Sequence, residues 1–503
     1  MRGRGTLARA ALWSSLLLVG ACSVGPDFQR PGIPGHGTYV EANLPEQISA
    51  TATDVGGQAQ SIRTGDDLIH DWWTLFHSEP LNQLVATGLR DSPNLAAASA
   101  SLRQAQEILA ANRGNLLFPA VNATAGATRE RISGAAFGLP TGSETLSLYN
   151  AQVGVSYTFD IFGGVRRQLE GLEAQVDYQQ NELRAAQLTL TANIVTAVVR
   201  EAQLREQIKA YRDVEKLQRD GLTIVERRFQ LGAVTKTDVL SQRTALAQTI
   251  AAVAPLEIQR AQTRHLIAVY LGETPSELDL SAVEISHLEL PAELPVSVPS
   301  DLVHQRPDIL AAEALLHAAS AQVGVATANM YPQLTLSGDY GAESLKPSDL
   351  FKSGSVIWGI GANITQPIFR GGALHAQKRA AEAAFDQAAA AYRQTVLSAF
   401  ANVADALRAL EFDGQNLGAE FEAYQQAQAE VELAQKQFDV GAISQLSLLN
   451  AQQQFSQAAV ALAQARANRF TDTAALFQAM GGGWWNGDSA ASKPASGPAT
   501  SGS

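Results

Sequence analysis

Leu148-Tyr149-Asn150-Ala151-Gln152-Val153-Gly154-Val155-Ser156-Tyr157-Thr158-Phe159-Asp160 is where the chain declares its architecture. Tyr149, Ala151, Val153, Val155, Tyr157 and Phe159 alternate with Asn150, Gln152, Gly154, Ser156 and Thr158. A period of two places apolar and small polar side chains on opposite faces of a strand. Directly after it, Ile161-Phe162-Gly163-Gly164 opens a different texture. From Val165 to Leu231 apolar residues recur at intervals of three and four: Leu169, Leu172, Val176, then Leu190, Ile194, Ala197, then Leu204, Ile208, Tyr211. No proline occurs between Pro140 and Pro255. This predicts one helix of coiled-coil type. At ~1.5 Å per residue it is roughly 100 Å long. Such a helix far exceeds the ~30 Å of bilayer hydrocarbon and is too polar for it, so it runs through water. Gly232 breaks it, and a second helix returns from about Thr237 to Leu271.

Upstream, Pro93 to Leu117 is rich in alanine and reads as a helix with proline at its start, followed by a strand over Val121–Arg129. The whole series then recurs. Ser92-Pro93-Asn94-Leu95 returns as Arg306-Pro307-Asp308-Ile309, and Phe118-Pro119 as Tyr331-Pro332. Asp160-Ile161-Phe162-Gly163-Gly164 returns as Pro367-Ile368-Phe369-Arg370-Gly371-Gly372. Arg228-Phe229-Gln230-Leu231-Gly232-Ala233-Val234 returns as Gln437-Phe438-Asp439-Val440-Gly441-Ala442-Ile443. The offsets stay between 207 and 214 in unbroken order, which identifies a tandem repeat of one structural unit. In the second unit Trp358, Ile360, Ala362 and Ile364 alternate with Gly359, Gly361, Asn363 and Thr365, and helices are predicted over Ala373–Val440 and Gln445–Met480.

Two strands per unit make four per chain. An apolar-faced sheet of four strands leaves two bare edges, and each unpaired backbone group in lipid costs several kcal/mol. Closed membrane barrels need about eight strands or more. The barrel must therefore be shared between chains; two copies supply eight strands, three twelve and four sixteen, and the sequence does not choose among them.

The N-terminus points to export. Arg2, Arg4 and Arg9 precede an apolar stretch from Ala10 to Ala21, too short for a permanent span. It ends Leu18-Val19-Gly20-Ala21-Cys22, and Cys22 is the only cysteine in 503 residues. Small residues before a lone cysteine resemble a bacterial lipobox, in which the thiol is acylated; Ser23 favours the outer membrane, because similar lipoproteins retained in the inner membrane tend to carry Asp there. A single cysteine excludes disulfide frameworks and multi-cysteine metal sites. The net charge of −12 without a basic cluster argues against nucleic acid. After the leader no run of about eighteen apolar residues is seen, so no transmembrane helix is expected. The eight histidines (His36, His70, His77, His265, His287, His304, His317 and His375) make no metal-ligand pair at helical spacing, and no phosphate-cradling loop or nucleophile elbow is present. Metal binding and catalysis are not expected, and no cofactor beyond lipid on Cys22.

The sequence thus divides into a signal peptide (1–21), a lipidated extended segment (22–64), two repeats (65–290 and 291–481) and a disordered tail (482–503) rich in Gly, Ser, Ala and Pro. Trp72 and Trp73 read as packing anchors at the start of the folded part.

These features together resemble the TolC-like outer-membrane factor family, in its lipoprotein branch serving resistance-nodulation-division (RND) pumps. The resemblance is carried by Cys22-Ser23-Val24-Gly25-Pro26-Asp27-Phe28, by Asp71-Trp72-Trp73-Thr74-Leu75-Phe76 and by Ala479-Met480-Gly481-Gly482-Gly483-Trp484. The Phe-Pro and Tyr-Pro pairs and both Ile-Phe segments add to it. It implies a mainly α chain with a membrane β part: a homotrimer with a twelve-stranded β-barrel continuous with a twelve-helix periplasmic tunnel. It implies a passive, gated exit duct whose tips, Leu231-Gly232-Ala233-Val234 and Val440-Gly441-Ala442-Ile443, meet a periplasmic adaptor linked to an inner-membrane pump. By the same likeness Leu446, Asn450 and Asp238 line a periplasmic aperture, with Asn450 where aspartate is usual and Asp238 equivalent in position to Ser447. Phe229 and Phe438 lie where tyrosine is frequent, so a hydroxyl that could tie the closed tip is missing. A periplasmic adaptor or structural coiled coil would share the lipobox and helical hairpins, but not paired long helices in two copies joined to lipid-patterned strands. Only Met1, Met330 and Met480 are methionines, which favours organic drugs, solvents or dyes over soft metals as cargo.

Overall fold

A computed structural model describes residues 23–32, 39, 47–48, 55–66, 68–133, 143–280 and 283–486. The leader, Cys22 and His36 lie outside the described residues, as do residues 487–503 of the expected tail.

The elements run β1 (Gln47–Ile48), β2 (Gln60–Thr64), a 3-10 turn (Trp72–Phe76), α1 (Glu79–Asp91), α2 (Pro93–Leu117), β3 (Ala120–Ser133), β4 (Ser143–Phe159), α3 (Gly164–Gln230) and α4 (Lys236–Leu271). There follow β5 (Glu293–Val296), α5 (Pro299–Gln305), α6 (Pro307–Ala328), β6 (Gln333–Ser344), β7 (Val356–Thr365), α7 (Ala373–Asp439) and α8 (Gln445–Ala479). The order α2-β3-β4-α3-α4 recurs as α6-β6-β7-α7-α8, and α3 and α7 are each 67 residues long.

The chain forms two compact units. One contains Ser101–Gln180 and Ala311–Tyr392 together with the chain up to Pro31. Its centre is an antiparallel sheet in the order β3-β4-β6-β7. The register aligns side chains in rows, such as Ala123, Val153, Tyr340 and Trp358 across the four strands. Around that row the face is apolar and bare, with Ile360 85% exposed, Trp358 71% and Ile364 69%, whereas farther along β3 and β4 it carries Arg129, Ser147 and Arg131. The opposite face carries Asn122, Gln152, Thr158, Thr335, Asp339, Glu343 and Asn363, with Thr158 and Thr335 joined hydroxyl to hydroxyl at 3.0 Å. Strands β3 and β4 extend beyond the expected 121–129 and 148–160, because the hairpin continues through polar residues such as Arg131, which donates to Ser143. Such residues give no apolar alternation to read.

The same unit holds the first described residues. Val24 N–H donates to the Phe162 carbonyl at 3.1 Å. The Arg167 guanidinium pairs with Asp27 and Glu170, Arg30 pairs with Glu313, and Phe28 stacks on His317 at 4.4 Å. His317 in turn lies 2.9 Å from Glu170, so its ring packs and pairs within the fold.

The other unit contains Gly32–Ala100, Asn181–Leu310 and the chain from Arg393 onward. A small sheet, β1-β2-β5, pairs β2 parallel to β5 with Ser61 opposite Glu293. Beneath it lies the main hydrophobic cluster, where Trp72, Phe76, Phe470 and Phe477 are each at most 1% exposed. Arg469 is wholly buried in this unit and donates to the carbonyls of Gly56, Gln58 and Leu410, three acceptors that compensate its lost hydration.

Two expectations need correction. Helix α6 is long and apolar enough, by length and composition, to cross a membrane, with mean hydropathy 1.4, although Asp308, Glu313 and His317 interrupt its apolar run. Half of that window is buried within the protein, as suits an alanine-rich packing helix. Residues 482–486, assigned to the tail from the sequence, are also folded. Trp484 Nε1 donates to the Gln305 carbonyl at 2.7 Å, Arg184 sits 3.8 Å over its ring, and Asn486 donates to the Leu68 carbonyl.

Candidate functional site

The candidate site lies at the ends of the two helical hairpins, all within the second unit. Each turn is built by one glycine in the left-handed region, Gly232 at φ 74° and Gly441 at φ 78°. Glycine alone adopts this backbone freely. Ala233 N–H closes back on the Arg228 carbonyl at 2.9 Å, and Ala442 N–H on that of Gln437 at 2.8 Å. The next helix then starts on a hydroxyl cap: Thr235 for α4 and Ser444 for α8.

The eight tip residues divide by role. Leu231 and Val440 stand 77% and 80% exposed, an unusual position for large aliphatic side chains. Val234 and Ile443 turn inward onto a cluster of Val225, Val239, Val431, Ala434, Phe438, Leu448 and Ala451. The cluster anchors the tips so that Leu231 and Val440 can project.

Leu446 and Asn450 are both exposed and lie one turn apart on a single face of α8. Asp238 is placed differently. Its carboxylate accepts from Thr235 N–H at 2.8 Å and from the Thr235 hydroxyl at 2.7 Å, while Asp238 N–H donates to Thr235 Oγ1. This is a capping box at the α4 N-terminus, where negative charge also meets the helix dipole. Ser447 has the matching place in α8, its N–H donating to Ser444 Oγ at 3.1 Å. The Asp238 carboxylate therefore caps α4, while Leu446 and Asn450 lie on α8.

Two features went unread in the sequence. The Arg228 guanidinium donates to the carbonyls of Phe438 and Asp439 at 3.2 and 2.9 Å and lies 4.7 Å above the Phe438 ring, tying α3 to the end of α7. A basic residue beside unpaired C-terminal carbonyls is the one signal that could have indicated it. Deeper in the hairpins, buried Gln445 donates to Gln242, which donates to the Gln218 carbonyl at 2.7 Å. Among the described residues no cluster of three or more His, Cys, Asp or Glu could hold a metal ion.

The outer membrane efflux protein family matches this chain over residues 84–273 and 298–482. The chain belongs to that family. It is an outer-membrane efflux protein, and its relatives are channels rather than enzymes. The toluene efflux pump outer membrane protein TtgC of Pseudomonas putida is 30% identical over 494 residues, covering 98% of this chain and 99% of the relative. SilC of Salmonella typhimurium, described as a probable outer membrane lipoprotein, is 27% identical over 475 residues, 93% of this chain and 97% of its own length. Among solved structures, the outer-membrane channel OprN superposes with a TM-score of 0.80 at 28% identity, covering 92% of this chain and all of that one.

Proposed function

We propose that this outer-membrane efflux protein works as a homotrimer, a passive and gated exit duct in a tripartite system. Three chains pool four strands each into a twelve-stranded barrel, and their long helices continue it as a twelve-helix periplasmic tunnel. The observation that carries this reading is the four-stranded sheet with one apolar exposed face and two unpaired edges, β3 and β7. In lipid those edges require partners. Acylation of Cys22 anchors the N-terminus, a reading supported by the seating of Val24 beside Phe162, where β4 ends and α3 begins.

The exposed Leu231 and Val440 offer small apolar surfaces to a periplasmic adaptor, through which an RND-type inner-membrane pump supplies the energy. Leu446 and Asn450 constrict the tip with an apolar ring and an uncharged polar ring. The scarcity of methionine and the likeness to a toluene efflux protein favour small organic compounds as cargo. Replacing Leu446 and Asn450 together by alanine should raise single-channel conductance in a planar bilayer; unchanged conductance would remove them from the gate. A purified protein that sediments as a single chain in mild detergent while still conducting ions would overturn the trimer.

A further inference from the structure

Arg129-Glu130-Arg131 stands where β3 outruns the apolar part of the sheet. Neighbours along a strand point to opposite faces. The two arginines therefore share the face of Ala123, Val153, Tyr340 and Trp358, and Glu130 shares that of Asn122 and Asp339. On the first of these faces β4 is apolar from Phe159 to Tyr149. At ~3.3 Å per residue this run measures roughly 33 Å along the strand. A tilt of about 40° reduces it to about 25 Å, the height of a barrel's lipid-facing band. Beyond Tyr149 the face turns polar and basic, with Arg129 opposite Ser147 and Arg131 opposite Thr145. Lys346 comes two positions after Ser344, the partner of Tyr149, and so adds charge near the same level. This is the end of the sheet away from the helices, since α3 follows Phe159 and α2 precedes Ala120. Both arginines are exposed, and Arg131 donates to the Ser143 hydroxyl at 2.7 Å. Among the described residues neither has a carboxylate partner, whereas Lys352 in the loop after β6 is paired with Asp349.

We propose that Arg129 and Arg131, with the hydroxyls of Thr145 and Ser147 beside them, bind the phosphate groups of the phosphorylated glycolipid in the outer leaflet of the outer membrane. The inference rests on the barrel reading of the proposed function, which sets the helices in the periplasm and this end of the sheet outside. Three features select that occupant. The basic rungs continue the lipid-facing band without a break, so whatever meets them is itself part of the membrane surface. Among the described strand residues the charged side chains on this face are Arg129 and Arg131, both positive, while Glu130 is turned to the other face. A guanidinium is also the side chain whose planar fork matches phosphate oxygens, and hydroxyls beside it can donate to the oxygens left over. A phospholipid of the inner leaflet would meet the opposite end of the band, at Phe159 and Leu334.

The test places the full-length chain in phosphatidylcholine nanodiscs and adds bisphosphorylated lipid A, its dephosphorylated form or phosphatidylglycerol. Retained lipid is counted by native mass spectrometry. The wild type should retain bisphosphorylated lipid A in preference to either comparator. Arg129→Gln with Arg131→Gln should weaken that retention about 25-fold, or about fivefold for each cation removed near an anionic lipid surface. Glu130→Gln, on the opposite face, should leave it unchanged. Should the double variant fail to insert, Ser147→Glu keeps both arginines and sets a carboxylate opposite Arg129, and should give a loss of similar size. Full retention by a variant that inserts and conducts ions overturns the proposed contact and leaves the duct standing. Equal retention of dephosphorylated lipid A overturns phosphate recognition, and equal retention of phosphatidylglycerol overturns the glycolipid as the occupant. A wild type that does not insert overturns the barrel, and this contact with it.

Discussion

The helical body around Trp72 and the strand region around Trp358 use similar side chains to opposite ends. Trp72, Phe76, Phe470 and Phe477 are at most 1% exposed, whereas Trp358, Ile360 and Ile364 are each more than two-thirds exposed. In the body the alternative to burial is water, so apolar residues gather within the chain. On the sheet, an exposed face of this extent marks contact with lipid or protein. Similar side chains therefore build an internal core in one region and a face open to a partner in the other.

The contrast can be broken in four places. Trp72→Ala removes a buried indole packed on Trp73, Phe76 and Phe477 and should cost about 3–5 kcal/mol in denaturant unfolding. A loss below ~1 kcal/mol would mean that the body does not depend on this core. Ile360→Lys should cost about 2–4 kcal/mol of folding into lipid vesicles, whereas Ile357→Lys, on the opposite face of β7, should cost much less. Equal penalties would show that the apolar face is not the lipid face. At the tips, Gly441→Ala forces a Cβ into the left-handed backbone and should destabilise the turn by about 1–2 kcal/mol, read as faster amide exchange over 437–448.

A fourth effect is one of pH. Burial, and then the neighbouring Asp472 carboxyl, push the Asp413 carboxyl up to about 8, with Arg469 opposing. A folded-state value above the unfolded one stabilises the protonated form. That contribution is complete below the ordinary carboxylate range and is lost as pH rises through about 8. Thermal melting of the wild type should therefore fall between pH 5 and pH 9, and Asp413→Asn should flatten the curve. Parallel curves for the two proteins would remove Asp413 from the pH response.

Much of this was legible residue by residue. The alternation from Tyr149 to Phe159 declares a two-faced strand because side-chain direction in a strand depends only on parity. Gly232 and Gly441 mark turns because helix reversal needs a backbone few other residues adopt. Contacts between distant segments were not legible. The pairing of β2 with β5 joins residues some 230 positions apart, and neither strand carries a periodic signal long enough to read. Asp238 shows the same limit inside the site. The family likeness put it at an aperture, and what only the folded chain shows is that Thr235, three residues earlier, holds its carboxylate in a cap.

By itself the sequence determined the periodicities, the tandem repeat and the shortage of strands, all of which follow from local geometry and counting. Tertiary structure alone decided which copy of each repeated motif is covered. Phe162 and Phe369 sit in equivalent local sequence, and only folding puts Tyr331 against the first while leaving the second bare. The physical reason is that burial belongs to a residue's neighbours in space, and a repeat in one dimension says nothing of which of its ends will find a partner.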